Sequence, residues 1–231
     1  MLSHSDSTWL RGPHVAKFLL LWYVAFTLAM AISPLDRKIW LGANALPFLF
    51  VATLVFWYRT FPLSNLSYLA ISIWLTLHTV AVHYTYPKVP FGFWIAPWFD
   101  FHRNHFDRIV HFCFGFLLTF PLLEIFRRLG KGHVRGWMLV YLVVMTILGF
   151  SAMWEIIEAW VGQIAHPDLE MALVGHQGDV WDPQHDMAAA FYGSLLCVAW
   201  LALLRKLRDS AHVLETAAVQ SESAGEVSAP V

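Results

Sequence analysis

The chain has 231 residues, 58% hydrophobic, 16% aromatic and only 13% charged, with a formal net charge of −1 and a mean hydropathy of +0.55. Soluble domains carry about 25% charged residues, so this chain has too little charge to cover a water-facing surface. That excludes a disordered chain and a nucleic-acid binder, and two cysteines, Cys113 and Cys197, both inside apolar runs, exclude a disulfide scaffold.

Six apolar segments follow one another along the chain: Val15–Ser33, Leu41–Tyr58, Leu66–Tyr86, His105–Phe126, Gly136–Trp160 and Pro183–Leu204. Each is near the ~20 residues that a helix needs to cross a bilayer core. The pattern predicts an all-α polytopic membrane protein, a bundle of about six transmembrane helices over 15–204. A short N-terminal segment, 1–14, precedes it. Ala29-Met30-Ala31 looks like a signal-peptidase site, but the preceding stretch is long and no soluble domain follows, so the first helix is expected to be retained. After Arg205-Lys206-Leu207-Arg208 the chain turns polar, small and mildly acidic, and 205–231 is expected to be a disordered cytoplasmic tail.

Orientation follows from the bias of basic residues toward the cytoplasm. With both termini cytoplasmic, Arg59, Arg127, Arg128, Lys131, Arg135 and the Arg205–Arg208 cluster fall inside, whereas the loop Val161–Asp182 carries no Lys or Arg. The same topology gathers acids and histidines at the outer end: Asp36, Asp100, Asp168, Glu170, His78, His102, His105, His166 and His176 among them. Such a cluster suits a divalent metal, a cationic ligand or proton transfer.

Three helix ends carry the candidate site. The fourth helix opens Asn104-His105-Phe106-Asp107-Arg108-Ile109-Val110-His111. Asp107 and His111 are one turn apart, about 6 Å along the axis, and can share a metal or orient one another. Asn104 as N-cap with Asp107 in the first turn is the plain structural alternative for the acid. His111 lies about 9 Å further in, where capping does not explain it. The fifth helix ends Trp154-Glu155-Ile156-Ile157-Glu158-Ala159-Trp160, two carboxylates at the end where the helix dipole disfavours them. A cation, Arg108 or a shared proton must compensate. The sixth opens Asp179-Val180-Trp181-Asp182-Pro183-Gln184-His185-Asp186. Asp182 before Pro183 reads as an N-cap, but a cap does not need Asp186 one turn on. His83, near the outer end of the third helix, is a further candidate ligand. His78, deeper, is expected to be an interhelical hydrogen-bonding group. The aromatic, proline-broken loop Pro87–Asn104 is expected to lie in the headgroup layer.

Three blocks, Arg103-Asn104-His105-Phe106-Asp107-Arg108-x-x-His111-Phe112, Trp154-Glu155-x-x-Glu158-x-Trp160 and Gly178-Asp179-x-Trp181-Asp182-x-x-x-Asp186-Met187, resemble the bacterial inner-membrane family typified by YjdF, over about Pro34 to Leu204. More distantly the order Asp107, Arg108, His111, Glu155, Asp186, Gly193 is similar to the VanZ-like group, associated with teicoplanin resistance, with Glu158 and Ala190 where that group has Gln and Asn. The resemblance implies a bacterial inner-membrane location and brings no established reaction.

Asp107, His111, Glu155 and Asp186 are the expected catalytic groups, with Arg108, Glu158, Asp179, Asp182 and His185 around them. The expected metal ligands are His111, Asp107, Glu155, Asp186 and His83. A divalent zinc, manganese or iron would suit mixed His/carboxylate ligands, and a metal-bound water would attack an envelope lipid or lipid-linked headgroup in a hydrolase or transferase. Against this, there is no His-Glu-x-x-His and no serine elbow. The alternatives are a non-enzymatic binding or transport protein for a cation, proton or small ligand, a haem protein using His78 or His83 with His105 or His111, and a structural lock between helix ends.

Overall fold

Small residues set the closest contact in the bundle. In the computed structural model, which describes residues 12–98, 103–164 and 177–227 with side chains as far as His212, seven helices are seen among the described residues. These are α1 (Pro13–Met30), α2 (Arg37–Trp57), α3 (Asn65–Tyr84), α4 (Pro90–Ile95), α5 (Phe106–Leu129), α6 (Gly136–Ile164) and α7 (Asp182–Val227). Helices α5 and α7 run parallel, and a side chain at Gly115 would collide with the Ala190 carbonyl, one at Gly193 with the Phe112 carbonyl. Two helix backbones meet this closely only where side chains are absent. One turn further along, the Thr119 and Ser194 hydroxyls are 2.6 Å apart and fully buried.

Five helices, α2, α3, α5, α6 and α7 as far as His212, are long and apolar enough to cross a membrane. Helix α1 has 18 residues, about 27 Å of rise, at the short end of the spanning range. Half of the most apolar window of α3 is buried but only 22% of those of α2 and α7, so α3 lies inside and the other two turn most of their apolar surface outward. Helix α7 runs on into the segment whose composition predicts disorder. Four Ala and three Glu in that stretch are good helix formers, and extending a helix already nucleated needs no core.

Local signals account for most boundaries. Asp36 caps α2, accepting from the Lys38 and Ile39 N–H groups at 2.8 and 3.0 Å, so this outer-end acid is structural. Ser64 caps α3 through the Ser67 N–H. At that same end the Glu124 carboxylate of α5 accepts from the Ser64 N–H at 2.9 Å and the Ser67 hydroxyl at 2.7 Å, with Arg128 at 3.4 Å. The aromatic loop forms 3-10 turns at Tyr86–Lys88 and Ala96–Trp98 around α4, with Phe91, Phe93 and Trp94 exposed. Cys113 and Cys197 are free thiols.

Candidate functional site

The parallel pairing of α5 with α7 decides what meets at their first turns. The partners Gly115–Ala190 and Thr119–Ser194 share one register, and two turns back that register sets Asp107 beside Asp182, with Asp186 next along. One carboxylate oxygen from each of Asp107, Asp182 and Asp186 lies within 4.8 Å of the others, and all three residues are buried. Asp182 and Asp186 are each only 2% exposed. Three carboxylates at this spacing in a low-dielectric setting repel strongly unless positive charge sits among them.

Part of that charge comes from two arginines. Arg103 Nη1 is 2.7 Å from Asp182 Oδ1 and 3.2 Å from Asp179 Oδ2. Arg108 Nη2 pairs with Asp179 and lies 3.3 Å from Asp182 Oδ1. Both guanidiniums stand on the loop side of the cluster. The buried Oδ1 of Asp186 has no hydrogen-bond partner among the described residues, so the arginines do not complete it.

His111 lies one turn below Asp107. Its Nε2 is 3.6 Å from Asp107 Oδ1 and 3.5 Å from Glu155 Oε1, and its Nδ1 is 3.3 Å from the Ser151 hydroxyl. With Ser151 as donor, the Nε2–H points between the two carboxylates. The Asp107 and Glu155 separations are too long for good hydrogen bonds, and Glu155 Oε1 is a second buried oxygen without a hydrogen-bond partner among the described residues. Glu158 instead accepts from the Trp154 indole N–H at 2.7 Å. The wrong-end acids of α6 thus diverge: Glu155 faces the imidazole, Glu158 a neighbouring tryptophan, and Arg108 pairs with Asp179 and Asp182 rather than with either of them.

The loop before α7 is pinned to the start of α5 by reciprocal bonds. Asn104 N–H donates to Gln177 Oε1 at 3.0 Å, and the Gln177 amide donates to the Asn104 carbonyl at 2.9 Å. The Asn104 side chain donates to the Val89 carbonyl and accepts from the Phe106 N–H, the bond expected of a cap, although the helix boundary itself falls one residue later, at His105. His185 Nδ1 donates to Asp179 at 2.9 Å. This bond, with that from the Trp181 N–H, holds the Asp179 carboxyl down at about 2. Burial, with the Arg108 and Arg103 charges behind it, pulls the His105 ring below its usual range; its Nδ1 accepts from Arg108 at 3.2 Å.

Four of the five expected ligands therefore gather at one place, but in two linked groups. Asp107 and Asp186 meet Asp182, which sequence reasoning put in the surrounding shell, while His111 and Glu155 form the adjoining group. The fifth, His83, is elsewhere: its Nδ1 is 2.8 Å from the Met30 carbonyl at the end of α1, where it ties two helices together. His78 is a fully buried interhelical group, Nε2 3.2 Å from the Ala43 carbonyl and Nδ1 2.7 Å from the Tyr86 hydroxyl. Both its nitrogens are engaged in these bonds. Asp100, His102, His166, Asp168, Glu170 and His176 lie outside the described residues. Arg103, Ser151 and Gln177 were not singled out beforehand; of these Ser151 alone had a signal, one turn before Glu155 on the same face.

No solved structure matches the chain. It is 37% identical over 172 residues to the inner membrane protein YjdF of Escherichia coli strain K12, covering 74% of this chain and 81% of that protein. The family model described as "Predicted membrane protein (DUF2238)" matches residues 15–207. A helical bundle with five membrane-length helices, matched by that model over nearly its whole membrane domain, belongs to the DUF2238 family of multi-pass bacterial inner-membrane proteins.

Proposed function

We propose that the Asp107/Asp182/Asp186 cluster holds a divalent cation and that, with His111 and Glu155 beside it, it forms the centre of a metal-dependent hydrolase or transferase acting on an envelope lipid. The observation that carries this reading is the convergence of three buried carboxylates within 4.8 Å, with an Asp186 oxygen that no donor among the described residues satisfies. Buried carboxylates coordinate metals or are paired, and here the pairing is incomplete. Of zinc, manganese and iron, an oxygen-dominated set favours manganese. The cation would supply a water acidic enough to attack at neutral pH. His111, adjoining the cluster and oriented through Ser151, would take or return the proton of the reacting group. Arg103 and Arg108 hold Asp182 in place and close the cluster on the loop side.

The bias of basic residues toward the opposite end of the bundle, at Arg127, Arg128, Lys131, Arg135 and Arg205–Arg208, supports an outward-facing site. Plasma mass spectrometry of detergent-purified protein, prepared without chelator, tests the reading beside Asp107→Asn and Asp186→Asn. Near-stoichiometric metal in the wild type, lost in both variants while they stay folded, is the expected result. A folded wild type without metal overturns the metalloenzyme and leaves the same acids as a proton- or cation-binding site.

A further inference from the structure

A cavity of about 270 Å³ begins at this site and runs down the bundle between α2, α3, α5 and α6. Its polar lining is gathered at one end, where His78, Tyr86, His111 and Ser151 contribute. His78 and Tyr86 satisfy each other there, which leaves His111 and Ser151 as the groups that connect the cavity to the carboxylates. Beyond them the α5 wall is Val110, Phe114, Leu118, Leu122 and Ile125, one helix face over 15 residues, or about 22 Å of rise. That is about three-quarters of a bilayer core, which is about 30 Å thick.

The cavity also has an open side. Helix α2 packs on α3, while α6 packs on α5 and α7, so the two flanks of the cavity rest on different neighbours. Leu46 of α2 and Phe150 and Met153 of α6 line it and are at the same time exposed on the outside of the bundle. They form the lips of a lateral mouth at membrane depth. A narrow apolar slot, polar at one end only and open sideways to lipid, fits an amphiphile in one orientation.

We propose that this slot takes one hydrocarbon chain of a bilayer lipid, which enters between α2 and α6 and presents its headgroup to His111 and the aspartate cluster. The proposal rests on the reading of that cluster as the reacting site and specifies its substrate class: a lipid recognised by a single linear chain below the headgroup. Below the polar end of the slot water would meet little besides the Trp74 indole N–H, which has no partner among the described residues, so a hydrocarbon chain is the better-matched occupant. Chain selectivity then resides in Leu118, Leu122 and Ile125, which line the slot two or more turns below His111.

The test uses full-length protein in vesicles of phosphatidylethanolamine and phosphatidylglycerol doped with a phospholipid carrying a diazirine in its acyl chain. After photolysis, labelled positions are mapped by peptide mass spectrometry for the wild type, Leu118→Trp and Ile147→Phe, two independent ways of plugging the slot. The expected result is labelling at Phe114, Leu118 and Leu122 that falls at least five-fold in each folded plugged variant. Labelling of the exposed Tyr141 and Met145, which report ordinary surrounding lipid, stays at the wild-type level. Labels confined to exposed residues, or slot labels that either folded plug leaves unchanged, overturn the proposal. Asp186→Asn is expected to keep its slot labelling. Metal binding without slot labelling removes the slot and leaves the metal site, whereas slot labelling without metal does the reverse.

Discussion

The α5–α7 contact offers a sharp test because two glycines on the same chain should respond to the same substitution with opposite sign. In Gly115→Ala the added methyl falls on the Ala190 carbonyl carbon and oxygen, backbone atoms that cannot rotate away. The helices must separate, and overpacking of this kind costs about 1–3 kcal/mol. Separation also stretches the 2.6 Å Thr119–Ser194 hydrogen bond, worth about 1 kcal/mol, against which the better helix propensity of alanine returns up to about 1 kcal/mol. The net expectation is a destabilisation of about 1–3 kcal/mol. At Gly149, in the middle of α6, an added methyl meets nothing within 4 Å, so Gly149→Ala should be neutral or stabilise by up to about 1 kcal/mol. Unfolding in mixed micelles by titrated denaturing detergent measures both variants in one assay. Manganese affinity measured alongside should weaken at least ten-fold, about 1.4 kcal/mol, in Gly115→Ala only, because Asp107 moves away from Asp182 and Asp186. Equal stabilities and equal affinities for the two variants would refute the claim that this contact sets the geometry of the cluster.

Other perturbations address separate parts of the molecule. Arg103→Met removes the closest cation from Asp182, whose side chain is 3% exposed. A hydrogen bond to a charged group contributes about 1.5–3 kcal/mol, so a loss of that size is expected in the same unfolding assay. The acid dependence of the loop before α7 follows from Asp179, whose carboxyl sits at about 2 against 3.8 for a free aspartate. A depressed carboxyl stabilises the folded state fully above about pH 4, and that contribution disappears as pH falls from there through 2. Hydrogen-exchange protection factors at Gly178–Asp182, taken relative to the intrinsic exchange rate at each pH, should therefore fall in that window, and Asp179→Asn should abolish that fall. Glu124→Ala strands the Ser64 N–H and the Ser67 hydroxyl and should cost about 1–3 kcal/mol. Manganese binding should be unchanged in that variant, because the clamp lies at the opposite end of the bundle.

The membrane class was legible early because bilayer thickness imposes run length directly on sequence. The predicted and observed helices agree within about four residues, except at the C-terminal end of α7. The helical period likewise put Asp107 and His111 on one face before any tertiary information. The expected catalytic set of Asp107, His111, Glu155 and Asp186 does meet at one end of the bundle. His83 illustrates the limit. Its position along α3 is level with the cluster, yet rotation about the helix axis turns it to α1 and the Met30 carbonyl. Asp182 illustrates the converse. Asp-Pro is a sound helix-start signal, but the carboxylate faces Arg103 and Arg108 because those residues arrive from 74 or more positions earlier in the chain.

Local rules of length, hydropathy and period act within one helix, and they suffice for the number, extent and amphipathic faces of the helices and for which acids are anomalous in an apolar layer. Which faces meet is a property of pairs of helices. Here it depends on the absence of side chains at Gly115 and Gly193, which lets α5 and α7 approach in the register that brings Asp107 to Asp182 and Asp186. The slot between α2 and α6 has the same origin. Each flank reads as an ordinary apolar helix, and the space between them exists only because α2 leans on α3 and α6 on α5 and α7.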